Sequence, residues 1–177
     1  QAFYYHDGNI SEDFPSIIKD KHIERLAGLI DKNKVVFGGH INKDKRLIEP
    51  TIMDNVTYDD AIMGEEIFGP IMPILTFAKV DNLLEIFKSQ EKPLAFYLFI
   101  KNQKEARRIM DLVSYGGGCI NDTIMHLTND KLSFGGIGRS GMGSYHGQKS
   151  FEAFSHEKSV LKKQKMELQL KYPPYNE

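Results

Sequence analysis

Three short apolar runs, Ile71 to Phe77, Ala95 to Ile100 and Cys119 to Asn121, are separated by two stretches of helical length. Strand, helix, strand, helix, strand is the order of linked βαβ units, and such units close as a parallel sheet with helices on its faces. Ile71 to Phe77 is apolar residue after residue rather than alternately, which predicts a strand covered on both faces. Asp81 stands where it can cap the first helix, with Leu83, Leu84 and Phe87 turned inward. Pro93 ends that region. Asn102 stands as the cap of a second helix, from Gln103 to about Ser114, whose inner face carries Ala106, Ile109, Met110 and Val113. Gly116-Gly117-Gly118 then opens the last strand. The fold class is therefore α/β.

Upstream, Asp13-Phe14-Pro15 reads as a helix entry. Ile17, Ile18, Ile23, Leu26, Leu29 and Ile30 follow at helical spacing. Val35 to Phe37 reads as a short strand ended by Gly38-Gly39. His40 to Arg46 reads as a solvated polar loop, and Leu47 to Val56 as extended chain interrupted at Pro50. Ala2 to Tyr5 resembles the end of a helix. With Gln1 in place of methionine, this suggests a C-terminal segment of a longer polypeptide. A formal net charge of −1 gives no reason to expect nucleic acid or an anionic membrane as partner. No apolar run approaches the ~20 residues of a membrane helix. A single cysteine, Cys119, leaves no internal disulfide and suits the reducing cytoplasm.

Between the two regions lies Glu65-Glu66-Ile67-Phe68-Gly69-Pro70. Glycine admits unusual dihedrals, and proline sets its own φ and biases the residue before it. A carboxylate and an aromatic ring two positions apart, just before such a break, can be aimed at one spot. A ligand with a hydroxylated sugar and a flat ring would suit them. The plain alternative is a loop entering a buried strand.

That hexapeptide, followed by its apolar strand, resembles a motif of the aldehyde dehydrogenase superfamily. KPLAFYLF from Lys92, GGGCINDTIMH from Gly116, SFGGIGRSGMGSYHG from Ser133 and KSFEAFSHEKSV from Lys149 resemble, in order, later segments of class 3-like members. The match runs from about Ile17 to Pro174. The resemblance implies residues 1–148 as the C-terminal portion of a catalytic domain, 149–160 as an oligomerisation strand and 161–177 as a tail draped on a neighbour or disordered. It implies aldehyde oxidation by a cysteine thiolate, through a thiohemiacetal and a thioester to a carboxylate, with NAD or NADP as cofactor. Glu66 would accept hydrogen bonds from the nicotinamide ribose, and Phe68 would pack near the nicotinamide ring. Asn121, Thr123, Ile124, His126, Leu127, Thr128 and Phe134 would line the aldehyde entrance. The expected assembly is a homodimer or higher.

The segments that resemble the nucleophile's loop, the general-base glutamate and the oxyanion asparagine of the family are absent from these 177 residues. No catalytic residue is therefore assigned, and the chain by itself is expected to be inactive. Cys119, at the start of a strand, reads as a buried structural thiol. His126 reads more readily as an exposed loop residue than as a proton relay. His126, His146 and His156 lack metal-ligand spacing, so no metal is expected. Gly136 to Gly141 matches G-x-G-x-x-G but lacks the strand before and the helix after that a dinucleotide fingerprint needs. Its glycines instead suggest a loop passing close beneath the mouth of the site. Two other readings stand beside this one. A non-catalytic assembly module would keep the fold and its interface, and an acyl-phosphate or acyl-thioester reductase would share the fold.

Overall fold

The computed structural model describes residues 4–163, which form two compact units divided between Lys79 and Val80. The parts of the sequence readings that fall on residues 1–3 and 164–177, including the Tyr172-Pro173-Pro174-Tyr175 tail, lie outside the described residues. Among the described residues no helix is long and apolar enough to cross a membrane.

In the first unit, β1 (Tyr5–His6) and β2 (Asn9–Ile10) form a hairpin. Asp7 and Gly8 both take positive φ at its turn, 50° and 79°, as tight hairpin turns require. Tyr5 is thus in a strand and not at the end of a helix. The helix expected from Pro15 begins later, as α1 (Asp20–Leu29). Asp13 is drawn instead into a turn in which its N–H donates to Ser11 Oγ at 3.2 Å. Ile23 and Leu26 are the buried positions of α1.

Next come β3 (Val35–Phe37), β4 (Ile41–Asn42), β5 (Leu47–Ile48), β6 (Thr51–Met53) and β7 (Ile71–Pro73). The polar stretch His40 to Arg46 is shorter as a loop than its composition suggests, because Ile41 and Asn42 pair antiparallel with Ile48 and Leu47. The main sheet runs β3-β6-β7. β3 is antiparallel to β6, whereas β6 and β7 are parallel, with Thr51 opposite Ile71 and Met53 opposite Pro73. The expected long strand at Ile71 therefore ends at Pro73, which has no N–H to donate. It is also not covered on both faces in this unit. β7 is an edge strand, and Ile71 is buried while Met72 is 54% exposed. The core gathers Ile23, Leu26, Ile48, Met53, Val56, Ile62 and Ile71.

In the second unit, α2 (Val80–Ser89), β8 (Ala95–Leu98), α3 (Gln103–Leu112) and β9 (Gly117–Ile120) follow in the order read from sequence. β8 and β9 are parallel, Ala95 opposite Gly117 through Leu98 opposite Ile120. Asn102 caps α3, its Oδ1 accepting from the N–H groups of Lys104 and Glu105, which contributes about 1 kcal/mol. Asp81 does not serve as the cap assigned to it. It lies inside the first turn of α2, and its carboxylate pairs with Arg108. Leu84, Ala106 and Ile109 are buried, and Phe96 meets Phe87 edge to face and Tyr115 at a tilt.

The glycine run before Cys119 is required by close approach. A Cβ on Gly118 would lie 2.0 Å from the Phe96 carbonyl oxygen across the ladder. The fold is thus mixed α/β, with parallel and antiparallel pairing, rather than a parallel sheet alone. Residues 149–160 form no strand. Gly147 to Ala153 is a helix, α4, and residues 154–163 have neither helix nor strand. Gln148 and Lys149 both bond Glu152 along the helix surface, a spacing that favours helix.

Candidate functional site

In the first unit, α1 and the Glu65–Pro70 loop border a cleft of about 560 Å³ lined by Ser16, Ile17, Ile18, His22, Arg25, Glu65, Glu66 and Phe68. Arg25 holds the loop. Its Nη1 donates to Glu65 Oε1 at 3.0 Å, and its Nη2 donates to the Ile67 carbonyl at 2.6 Å. A longer contact of 3.5 Å reaches the Glu66 carbonyl. A guanidinium bonded to a backbone carbonyl is a charge-assisted contact of about 1.5–3 kcal/mol, whereas the half-exposed Glu65 pair adds at most about 1 kcal/mol.

This division separates two adjacent glutamates that look alike in sequence. Glu65 is committed to Arg25. The Glu66 carboxylate is exposed on the cleft and has no hydrogen-bond partner among the described residues. Phe68 is likewise no core residue. Its ring is 81% exposed, and its φ is +43°, a left-handed conformation that costs a side-chain-bearing residue about 1–2 kcal/mol. The unusual dihedral expected at Gly69 is in fact Phe68's. Gly69 is needed for space, because a Cβ there would stand 2.6 Å from the buried Leu26 side chain. Pro70 ties the loop to the sheet through Thr51 N–H, 2.8 Å from its carbonyl.

The donor set fits a hydroxylated ring ligand. A free carboxylate with two acceptor oxygens can take both hydroxyls of a ribose, and an unpacked aromatic face two residues on can meet a planar ring. Arg25, which holds this arrangement, was not visible in sequence. It lies 40 residues from Glu65 on a helix whose other charged positions look similar.

The second unit places the remaining candidates differently. Asn121 has φ +58°, and both ends of its amide bond one residue. Oδ1 accepts from Ile100 N–H at 2.7 Å, and Nδ2 donates to the Ile100 carbonyl at 2.9 Å. Thr128 Oγ1 donates to the Met125 carbonyl at 2.9 Å, and Thr123 N–H bonds Asp122. Leu127 N–H bonds the carbonyl of Ile124, whose side chain is 57% exposed at φ +61°.

His126 is not the exposed loop histidine that its surroundings in sequence suggest. It is 8% exposed, set between the rings of Tyr97 and Phe134. Its Nε2 has no partner among the described residues, and its Nδ1 lies 3.5 Å from Cys119 Sγ. Gly117 makes room for this ring, since a Cβ there would come within 3.0 Å of it. Phe134 also contacts Tyr145 and His146, and its backbone bridges Tyr145. His126, Phe134 and Cys119 are thus together, while the polar groups of Asn121 and Thr128 are turned to local backbone.

The glycines of 135–141 let the loop fold on its own backbone. Cβ atoms on Gly135 and Gly136 would fall 2.2 Å from the Gly143 carbonyl oxygen and 2.1 Å from that of Ser140. The short turn Gly138–Ser140 stands where a dinucleotide fingerprint would open a helix. Among the described residues no three His, Cys, Asp or Glu side chains converge on a metal-sized point.

The described residues thus form a mixed α/β scaffold in which one loop presents an exposed carboxylate and an exposed ring to a cleft. Residues 8–160 match the family described as the aldehyde dehydrogenase family, and the chain belongs to it. A 4,4'-diaponeurosporen-aldehyde dehydrogenase of Staphylococcus aureus (strain NCTC 8325 / PS 47) is 48% identical over 99% of this chain and 39% of its own length. A dimeric NADP-preferring aldehyde dehydrogenase of Rattus norvegicus is 43% identical over 97% of this chain and 39% of its own length. The substrate-bound state of Staphylococcus aureus AldH superposes with a TM-score of 0.88 at 47% identity, covering 98% of this chain and 39% of that one. The chain thus spans about 39% of these relatives.

Proposed function

We propose that this chain is part of an enzyme that oxidises aldehydes to carboxylates with NAD or NADP, and that its first unit binds the nicotinamide ribose through Glu66. The observation that carries this reading is the difference between neighbours: Glu65 is bound by Arg25, while Glu66 and Phe68 face the cleft unpartnered. When bound, the nicotinamide accepts the hydride. The chain's own contribution is to bind and orient. Glu66 accepts the ribose hydroxyls, and Phe68 limits the ring's motion, a positioning effect that weighs heavily in rate. In the second unit, Ile124, His126 and Phe134 are the residues that the family resemblance assigns to the aldehyde wall, the Ile124 side chain being the exposed one, with Asn121 and Thr128 bonded to the backbone around them.

The family's nucleophile segment has no counterpart in the 177 residues, so the isolated chain is inactive on this reading. Purified chain, benzaldehyde and NAD(P)+ should give no NAD(P)H. The Cys119–His126 contact of 3.5 Å favours one rival, in which that thiol attacks and the imidazole takes its proton. NAD(P)H formation that disappears on Cys119→Ala would establish the rival and overturn the main reading.

The rat relative's description as dimeric supports self-association. So do the side chains of Phe151, Phe154, Val160 and Leu161, all at least 74% exposed on and after α4, since apolar patches of this kind favour association. A sedimentation run should show a dimer or larger species, and monomer alone at high concentration would refute it. A cytoplasmic setting suits the single thiol, which cell fractionation checks.

A further inference from the structure

Arg25 joins α1 to the loop that carries Glu66 and Phe68. Three observations converge on it. First, its guanidinium reaches one side chain and two backbone carbonyls in three consecutive residues, Glu65, Glu66 and Ile67. Second, Phe68 takes a left-handed φ that its side chain disfavours, so something outside the residue must hold it there. Third, Gly69 rests directly on Leu26, the neighbour of Arg25 in α1. No N–H of residues 65–68 donates a hydrogen bond among the described residues. The loop is therefore gripped from its carbonyl side and by packing, not by a ladder.

We infer that Arg25 is a positioning residue for cofactor binding: by holding the Glu66 and Ile67 carbonyls it keeps the Glu66 carboxylate and the Phe68 ring in the cleft, and by pairing with Glu65 it leaves Glu66 as the acceptor. This rests on the ribose-binding reading of Glu66. Arg25 touches neither substrate nor cofactor in this role. A lysine would keep the charge but lose the two-pronged grip on a carboxylate and a carbonyl together.

The test compares Arg25→Met, Arg25→Lys and Glu66→Gln in the protein that carries this chain. Two readouts are taken: the rate at which a glutamate-specific protease cuts after Glu65 and Glu66 relative to its other sites, and the kinetic constants for NAD(P)+. Local cutting reports opening of that segment. Arg25→Met should raise cutting at the two sites about 10-fold with other sites unchanged, and should raise the KM for NAD(P)+ about 10-fold while also lowering kcat as the Phe68 ring is released, so that kcat/KM falls by more than about 10-fold. Arg25→Lys should fall between Arg25→Met and wild type in both. Glu66→Gln should raise KM without changing the cutting after Glu65.

Unchanged cutting in Arg25→Met, or a rise at every site alike, overturns the inference. Faster local cutting with unchanged KM, while Glu66→Gln raises KM, overturns it and leaves the Glu66 reading standing. A Glu66→Gln variant with wild-type KM overturns both.

Discussion

The loop at Glu65–Pro70 and the loop from Asn121 to Tyr145 look alike in sequence. Each is punctuated by glycine, each is polar, and each follows or precedes a short strand. They use their functional groups in opposite ways. The first is held from behind by Arg25 and leaves a carboxylate and a ring facing outward. The second turns its polar groups on itself: the Asn121 amide is taken up by Ile100, the Thr128 hydroxyl by Met125, and His126 is buried between rings. A residue type therefore announces a site only when its hydrogen-bonding atoms are left free. The second loop has its backbone locked by its own side chains, whereas the first leaves a carboxylate and a ring uncommitted.

The glycines of the two regions break this comparison most directly. In the second unit, Gly118→Ala sets a Cβ against a ladder carbonyl at 2.0 Å, and backbone there can move only by separating β8 from β9. The expected loss is about 3 kcal/mol. In the first unit, Gly69→Ala meets the Leu26 side chain, whose methyl groups can turn. The expected loss is about 1 kcal/mol, accompanied by displacement of Phe68. Urea midpoints of the two variants check the order, and equal losses would show that both loops are held by backbone alike.

A smaller effect sharpens the contrast from the acid side. The Lys34 ammonium bonds both Asp60 oxygens, at 2.7 and 2.5 Å, and holds that carboxyl below its usual range, helped by Thr57 N–H. A carboxyl whose folded pKa is lowered adds stability above its unfolded pKa of about 4, and that stability is lost as pH falls through the folded value. Denaturation followed from neutral pH into acid should therefore show a loss that Asp60→Asn flattens. Identical acid profiles for wild type and variant would remove the pair from the account of the first unit.

Much of the second unit could be read along the chain. Asn102 as a cap and helix α3 with Ala106 and Ile109 inward follow from preferences that act within a few residues, and the parallel pairing of Ala95 with Gly117 follows from the strand–helix–strand order. The first unit was less legible. The pairing of Ile41 with Ile48, the edge position of β7 and the late start of α1 each depend on which segments meet. The same holds for the burial of His126, whose sequence neighbours are polar but whose ring is enclosed by Tyr97 and Phe134.

Local chemistry was enough to determine the order of strands and helices, the steric need for small residues at the turns and the linked motifs that mark the aldehyde dehydrogenase family. Which of two adjacent carboxylates is engaged and which is left uncommitted, and that Phe68 rather than Gly69 takes the left-handed conformation, were decided by the tertiary structure alone. The reason is reach. Backbone preference acts over a turn of helix or a strand pair, but a charge is left free or engaged by whatever partner the fold delivers, and for Glu65 that partner is a guanidinium 40 residues away.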